Sequence, residues 1–243
     1  MKKIFAVFAL ILCVSSVFAA DVYVKSSSHS DAVSIAGQNQ PARDTITEQW
    51  IGDGKVATVS PANTLIIDIA KNVMYIINNK AKTYVESKLP LDITKLLPPA
   101  MSGMLQGMKT TATVTATGNK KTFGARSCDE YSVSLNMMMM PLNLKVYATT
   151  DVPFDYQKYA EKIQSSLLKS QMMGIDDDSV KEFGKIKGFT IAQEMTGDIM
   201  GAKIHQITEV LEIANKPAPA GVYEVPAGYT KQETLSMEEL QQR

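Results

Sequence analysis

The sequence predicts an α+β domain in which an antiparallel meander carries helices packed on one face of its sheet. Two observations lead to this fold class. Short apolar stretches recur at nearly constant spacing between tight polar turns, which indicates antiparallel strands because a parallel pair would need a long crossover. Between some of these strands lie longer segments whose apolar residues follow helical spacing. A chain of 243 residues can bury a sizeable core as one domain.

The N-terminus predicts a cleavable secretion signal over residues 1–20. Two lysines precede an apolar stretch, Ile4 to Val14, which is too short to span a bilayer. Small residues end the stretch, so we expect cleavage after Ala19 or Ala20. The mature protein would then be a single domain of residues 21–243, located in the periplasm or secreted.

Composition limits the classes of partner. The mature part would keep 23 basic side chains against 25 acidic ones, since two lysines leave with the signal, and nothing favours nucleic acid. No later segment approaches about eighteen uncharged apolar residues, so we expect a protein that is not integral to the membrane. Cys13 allows a lipoprotein signal as an alternative, but Leu12 stands where lipoprotein processing uses a small residue. Cys128 then remains without a disulfide partner.

The first part of the mature chain predicts a series of strands. They cover Val22 to Val24, Thr45 to Ile51, Lys55 to Val59, Thr64 to Ile69, Val73 to Ile77 and Thr83 to Glu86. A polar stretch, 26–31, follows the first of them. The strands Thr64–Ile69 and Val73–Ile77 are apolar on both faces, although an antiparallel sheet usually leaves one face wet. Something therefore covers both faces, or the sheet curves around an apolar interior.

The second part alternates predicted helices and strands. Helical spacing runs from Asp92 to Met108, interrupted by Pro98-Pro99. Asp155 can cap a further helix, and Ser179 with Glu182 has the spacing of a capping box. Strands are predicted over Thr110 to Thr117, Thr122 to Ala125, Glu130 to Met138, Leu142 to Thr149 and Lys203 to Ile213. A stiff linker with two prolines leads to the C-terminal segment, where a short terminal helix is predicted.

Several short segments together resemble an exported bacterial family. They are Leu65 to Asp68, Met74 to Asn78, Lys82 to Tyr84, Val146 to Pro153, Gly188 to Thr190, Tyr223 to Tyr229, and Gly124 with Cys128 and Tyr131, where one extra residue separates glycine and cysteine. The family is a domain of unknown function that is itself similar to the periplasmic lipoprotein carriers LolA and LolB. The resemblance implies a LolA-like half-barrel, an open, curved antiparallel sheet whose concave apolar face is lidded by helices. A likeness of fold transfers no activity.

The sequence offers little for catalysis. His29 stands in a serine-rich segment and His205 on a predicted strand, and neither Gly-x-Ser-x-Gly nor a metal-binding spacing accompanies them. Residues 176–178 are three aspartates without the glycine turn of a calcium loop, so a charged loop is expected. Cys128 is expected to be a small buried hydrophobe. We therefore expect no enzyme, no cofactor and no metal site.

Methionine is the feature that most needs an explanation. Met101, Met104 and Met108 share a helical face, and four methionines, 137–140, are consecutive. Thioethers bind Cu(I), but alternate residues of a strand point to opposite faces, so the run of four does not converge on one ion. Methionine is also an adaptable apolar filler of cores and ligand surfaces. Core packing, a flexible ligand surface and a copper site all remain open.

We expect a monomeric, non-enzymatic periplasmic protein that binds a lipid, an acyl chain or a lipidated partner in an apolar cavity. One alternative is a Met-dependent Cu(I)-binding protein, and another is a protein-interaction module without a small ligand. The cavity is expected between the sheet and the Asp92–Met108 segment, which Pro98-Pro99 allows to move as a lid. Its expected lining is Trp50, Ile67, Met74, Ile76, Met101, Met104, Met108 and Met138.

Overall fold

The computed structural model describes residues 21–35, 37–89, 91–98, 109–137, 140–172, 174–199 and 201–235. Strands make up 58% of the structure and helices 10%, so the fold is mostly β. The expected α+β half-barrel with helices on a concave face is wrong. One 12-stranded mixed sheet dominates the described residues, and the helices beside it are short.

The sheet is antiparallel except at one end. In chain order the strands of the described residues are β1 (Val22–Ser30), β2 (Val33–Ile35), β3 (Gln38–Gln40), β4 (Arg43–Ile51), β5 (Lys55–Val59), β6 (Asn63–Asp68), β7 (Val73–Asn78), β8 (Thr83–Lys88), β9 (Thr110–Phe123), β10 (Arg126–Met137), β11 (Met140–Thr149), β12 (Phe189–Ile199), β13 (Ala202–Asn215) and β14 (Thr230–Gln232). Their spatial order is β14-β8-β7-β6-β5-β4-β1-β13-β12-β11-β10-β9, with β2 and β3 forming a separate hairpin. Strand β14 pairs in parallel with β8, which makes the sheet mixed.

Two segments without a strand prediction account for much of the extra β content. The polar stretch after Val24 continues β1 to Ser30, because β4 and β13 pair with it on its two sides and satisfy its backbone groups. Strand β12 also lies between two partners, β11 and β13. Pairing on both sides outweighs weak local propensity, since β-propensity depends strongly on context.

The described helices follow Asp155 and Asp176 or precede Pro98, and the predicted terminal helix lies outside the described residues. The described residues contain a 3-10 helix (Ile93–Leu96), a π-helical stretch (Ala160–Gln164) and three α-helices, α1 (Tyr156–Tyr159), α2 (Ser165–Gln171) and α3 (Asp177–Phe183). Asp155 caps α1 as predicted, by accepting a hydrogen bond from the Lys158 backbone N–H. Only the beginning of the predicted Asp92–Met108 helix lies within the described residues. None of the described helices is long and apolar enough to cross a membrane.

Each face of strands β6 and β7 contributes to a different hydrophobic cluster. On the face that we call inner, Ile67 and Met74 pack in a cluster with Leu96, Leu97 and Leu235. On the opposite, outer face, Ile66 and Ile77 pack with the aromatic side chains of Tyr23 and Trp50. The C-terminal segment covers this outer cluster with Ala218, Val222, Tyr223, Val225 and Tyr229. The sequence predicted that both faces of β6 and β7 are apolar, and a different part of the chain packs against each face.

Candidate functional site

The inner face changes from apolar to polar along β1 and β4. Val22 and Val24 of β1 belong to the inner core, whereas Ser28 and Ser30, further along the same face, do not. In the antiparallel register Ser28 lies opposite Thr45, and Ser30 lies opposite Arg43. Because alternate residues of paired strands share one face, the hydroxyl and guanidinium groups form a continuous polar strip.

A cavity of about 510 Å³ opens over this strip. Its volume lies within the range of roughly 300–1,000 Å³ that small-molecule sites occupy. Leu65 and Ile76 supply apolar surface on one side. The described residues that line it are Ser28, Ser30, Arg43, Thr45, Thr47, Thr58, Ser60, Ala62, Asn63, Thr64, Leu65, Ile76 and Gln206.

Part of the polar lining is already hydrogen-bonded within the protein. Ser28 Oγ accepts from Gln206 Nε2 at 2.7 Å and from Thr208 Oγ1 at 3.0 Å. Ser60 Oγ donates to the Asn63 carbonyl at 2.9 Å. These contacts hold the rim of the cavity and leave other donors for a ligand.

Four neighbouring side chains have hydrogen-bond donors that are free to contact a ligand. Among the described residues, the side chains of Ser30, Arg43, Thr45 and Thr47 make no hydrogen bond or ion pair with one another or with other groups. Among the described lining residues, Arg43 is the single charged one, and none of them carries a carboxylate. The described part of the lining therefore presents a positive charge and free hydroxyl donors.

A second cavity, of about 230 Å³, lies on the same face beneath the helices. Its lining is mainly apolar and aromatic: Leu144, Val146, Tyr156, Tyr159, Leu167, Leu168, Met172, Phe183, Ile186 and Phe189, with Gln49, Gln164, Gly188, Thr190 and Gln193. Tyr159 and Phe189 pack edge to face, with ring centroids 5.7 Å apart. Burial raises the pKa of Tyr159 well above its usual range, so its hydroxyl stays neutral.

The two cavities adjoin across a hydrogen bond. Gln49 lines the smaller cavity, and its Nε2 donates at 3.3 Å to Oγ1 of Thr58, which lines the larger cavity. Thr47 of the larger cavity lies two residues from Gln49 on the same face of β4. The smaller, apolar cavity and the larger, polar cavity therefore share one wall.

The structure separates the residues expected to line one apolar cavity. Ile76 lines the larger cavity, while Ile67 and Met74 are fully buried in the inner core. Trp50 lies on the outer face, with its ring centroid 4.6 Å from that of Tyr23. The strand register separates these side chains. Trp50 lies opposite Tyr23, so both point to the outer face, whereas Ile76 points to the inner face. The remaining expected residues, Met101, Met104, Met108 and Met138, lie outside the described residues.

Sequence reasoning missed the polar lining of the larger cavity. The signal was present as a period of two, because Arg43, Thr45 and Thr47 alternate along one strand and Ser28 with Ser30 alternates along another. Only the pairing of these strands shows that the two rows face the same space.

Both histidines lie on the outer face in a chain of carboxylate contacts. His29 Nδ1 is 2.7 Å from Asp44 Oδ1, and His29 Nε2 is 3.3 Å from Asp31 Oδ1. His205 Nδ1 is 2.9 Å from Asp31 Oδ2, and its Nε2 is 3.3 Å from Glu194 Oε1. The hydrogen bond to Asp44 raises the pKa of His29, and the hydrogen bond to Asp31 raises the pKa of His205.

Neither metal-ligand groups nor the cysteine supply a reactive centre in the part of the chain that the structure describes. No three His, Cys, Asp or Glu side chains there are arranged to hold a metal ion. Cys128 is fully buried on β10, and burial raises the pKa of its thiol. A raised thiol pKa disfavours the thiolate that nucleophilic chemistry needs.

Comparison with known proteins adds a family match. A family described as a domain of unknown function (DUF4412) matches residues 42–229. This range includes β4 to β13 and the segment 216–229 that covers the outer face, whereas β1, which supplies Ser28 and Ser30 to the larger cavity, precedes it. No curated protein matches the chain.

Proposed function

This chain belongs to the DUF4412 family, and we propose that it binds an amphipathic molecule, either a lipid or the acyl chain of a lipidated partner, without catalysing a reaction. The proposal places this binding in the periplasm or outside the cell, after removal of the leader. The observation that carries it is the adjoining pair of cavities of opposite polarity on one sheet face. An amphipathic molecule has the same division between an apolar and a polar part.

The smaller cavity suits the apolar part of such a ligand. Leucine, phenylalanine and tyrosine side chains from the sheet and from the helices surround it. Each buried methylene contributes about 0.8 kcal/mol, so even a short alkyl segment offsets part of the cost of association. Met172 at its wall adds a flexible side chain that adapts to ligand shape.

Binding without catalysis fits the positions of the reactive groups. His29 and His205 lie on the outer face, whereas both cavities open on the inner face. Cys128 is buried in the inner core and has a raised thiol pKa. The polar lining of the cavities consists of hydroxyls, amides and one guanidinium, which recognise ligands by hydrogen bonding and charge.

The proposal is tested by titrating delipidated mature protein with a fluorescent fatty acid. Leu168→Asp places a charge at the wall of the smaller cavity and is expected to weaken binding about tenfold or more. The matched control is Leu211→Asp, because Leu211 is 55% exposed and lines neither cavity. Circular dichroism checks that both variants fold.

Two results would overturn the proposal. One is the absence of saturable binding by the wild-type protein, including when lipids extracted from natively purified protein are used as probes. The other is an equal loss of affinity in Leu168→Asp and Leu211→Asp, which would indicate binding to an unspecific apolar surface rather than to the smaller cavity.

A further inference from the structure

We propose that the larger cavity selects an anionic headgroup, a phosphate or a carboxylate, through an ion pair with Arg43 and hydrogen bonds from Ser30, Thr45 and Thr47. The proposal rests on the proposed function for the apolar part of the ligand and adds the chemistry of its polar part. The four groups were not expected to form a site from the sequence. Their shared position on two paired strands brings them together.

The register places the four donors within reach of one headgroup. Ser30 lies directly opposite Arg43 on the neighbouring strand, where opposing Cβ atoms are about 4.5–5.5 Å apart. Thr45 and Thr47 follow Arg43 on the same face, at intervals of two residues or about 7 Å. The flexible side chain of Arg43 spans such distances, so its guanidinium and at least one hydroxyl can contact the same oxyanion.

The charge of Arg43 is uncompensated at this face. The adjacent Asp44 points to the outer face, where its carboxylate lies 2.7 Å from His29 Nδ1. Asp31 also contacts both histidines rather than the guanidinium. A guanidinium presents five donors in a planar fork that matches the oxygens of a carboxylate or a phosphate. An oxyanion from a ligand supplies the acceptor that the described lining lacks.

The described lining offers no partner to the cationic part of a zwitterionic or cationic headgroup. An ammonium or choline group is stabilised by a carboxylate or by an aromatic ring. The described residues of the larger cavity's lining supply neither, and their hydroxyls lie beside a positive side chain. We therefore expect discrimination between anionic and zwitterionic lipids of equal chain length.

The test compares four probes of similar chain length on delipidated mature protein by isothermal titration calorimetry. The probes are laurate, short-chain phosphatidylglycerol, short-chain phosphatidylcholine and the neutral alcohol dodecanol. The wild-type protein is expected to bind at least one of the two anionic probes about tenfold or more tightly than phosphatidylcholine. A preference for laurate identifies a carboxylate ligand, and a preference for phosphatidylglycerol identifies a phosphate.

Substitutions of Arg43 test whether this residue causes the preference for anionic probes. Arg43→Gln is expected to abolish the preference for the anionic probe, whereas Arg43→Lys keeps part of it because the positive charge remains. The matched control is Lys203→Gln, since Lys203 is exposed, lies opposite Asp198 in the register of β13 and β12, and is not among the described lining residues of either cavity. Unchanged selectivity in Arg43→Gln, or an equal loss in Lys203→Gln, would overturn the proposal.

The dodecanol arm separates this proposal from the proposed function. Equal binding of dodecanol by wild type and Arg43→Gln, together with the absence of anionic selectivity, would leave the apolar site standing and overturn the headgroup site. If no long-chain probe binds, inorganic phosphate is titrated alone. Binding by wild type and not by Arg43→Gln would then keep the anion site while the lipid proposal fails, and no phosphate binding would remove both.

Discussion

At the scale of the residue, two side chains that the sequence predicts to cap a helix instead accept hydrogen bonds from a strand of the sheet. Ser179 and Glu182 have capping-box spacing, but Asp176 is the N-cap of α3 and accepts from the Ser179 backbone N–H at 2.7 Å. Ser179 Oγ instead accepts from the Ala112 backbone N–H at 2.9 Å, and Glu182 Oε2 accepts from the Val114 backbone N–H at 2.9 Å. Both donors belong to edge strand β9, so these side chains block further strand pairing there.

Removing the Ser179 hydroxyl is expected to destabilise the protein. Ser179→Ala leaves the Ala112 N–H without its acceptor in a buried position, which costs about 1–3 kcal/mol. The matched control is Asp178→Ala, because the Asp178 side chain is 88% exposed and its removal leaves no buried group unpaired. Urea unfolding followed by circular dichroism measures both, and equal midpoints would contradict the edge-capping role.

The histidine contacts on the outer face predict a pH dependence of stability. The folded-state pKa of both His29 and His205 is raised by hydrogen bonds to Asp44 and Asp31. Their contribution is therefore fully present below the unfolded pKa of about 6.5 and is lost as pH rises through the raised folded-state pKa. Asp31 acts in the opposite sense, since its lowered pKa makes its contribution disappear as pH falls through that pKa.

The measurement is the melting temperature between about pH 6 and about pH 8.5. The wild-type protein is expected to lose more stability over this interval than the double variant His29→Gln/His205→Gln. High salt is expected to reduce the difference, because His29, Asp31 and Asp44 are exposed and His205 is only half-buried, so their charges are screened. A double variant with the full wild-type slope would show that other groups cause the dependence.

At the scale of the element, the C-terminal segment covers the outer face of the sheet, as a second layer of secondary structure would. Residues 216–229 contain no regular strand, yet Val222 and Val225 pack on the outer cluster around Trp50. Lys216 adds its ammonium above the ring of Tyr23, with Nζ 3.3 Å from the centroid. This proline-containing segment thus shields from solvent an apolar sheet face that would otherwise be exposed.

Truncation of Trp50 tests this outer cluster. Trp50→Ala removes a side chain that is 6% exposed and is expected to cost about 3–5 kcal/mol. Ile46→Ala, on the same strand and 40% exposed, is expected to change stability by only about 0.5 kcal/mol. Urea unfolding followed by circular dichroism measures both, and similar costs would show that the C-terminal segment does not seal this face.

The same position makes Trp50 a negative reporter for ligand binding. Because Trp50 lies on the outer face and the cavities open on the inner face, its emission is expected to change little when a lipid binds. A large shift in emission that saturates with the titration of a non-fluorescent fatty acid would place the ligand on the wrong side of the sheet.

At the scale of the whole molecule, β1 joins the two halves of the sheet. One half is β4 to β8 with β14, and the other is β13 to β9. Val22 of β1 lies opposite Asn215 of β13, so strands that are far apart in the chain meet in the middle of the sheet. Such non-local pairing links the stability of the halves and slows folding, since a long loop must close before the contacts form.

Weakening β1 is therefore expected to destabilise both halves together. Val24→Ala shortens a side chain that is 3% exposed in the inner core. Hydrogen exchange should accelerate to a similar degree in β6 and β7 on one side and in β11 and β12 on the other. Acceleration confined to one half would show that the halves unfold independently.

The amino-acid sequence was sufficient to predict the positions of most strands, the Asp155 cap and the family resemblance, because period-two alternation, turn residues and caps are local properties. The mostly β fold class, the continuation of β1 to Ser30 and the opposite faces of Trp50 and Ile76 became apparent from the three-dimensional arrangement of the strands. That arrangement also brings Arg43 and Ser30 to one cavity. These features depend on which strands pair and in what register, and that pairing joins residues far apart in the chain, where local patterns carry no information.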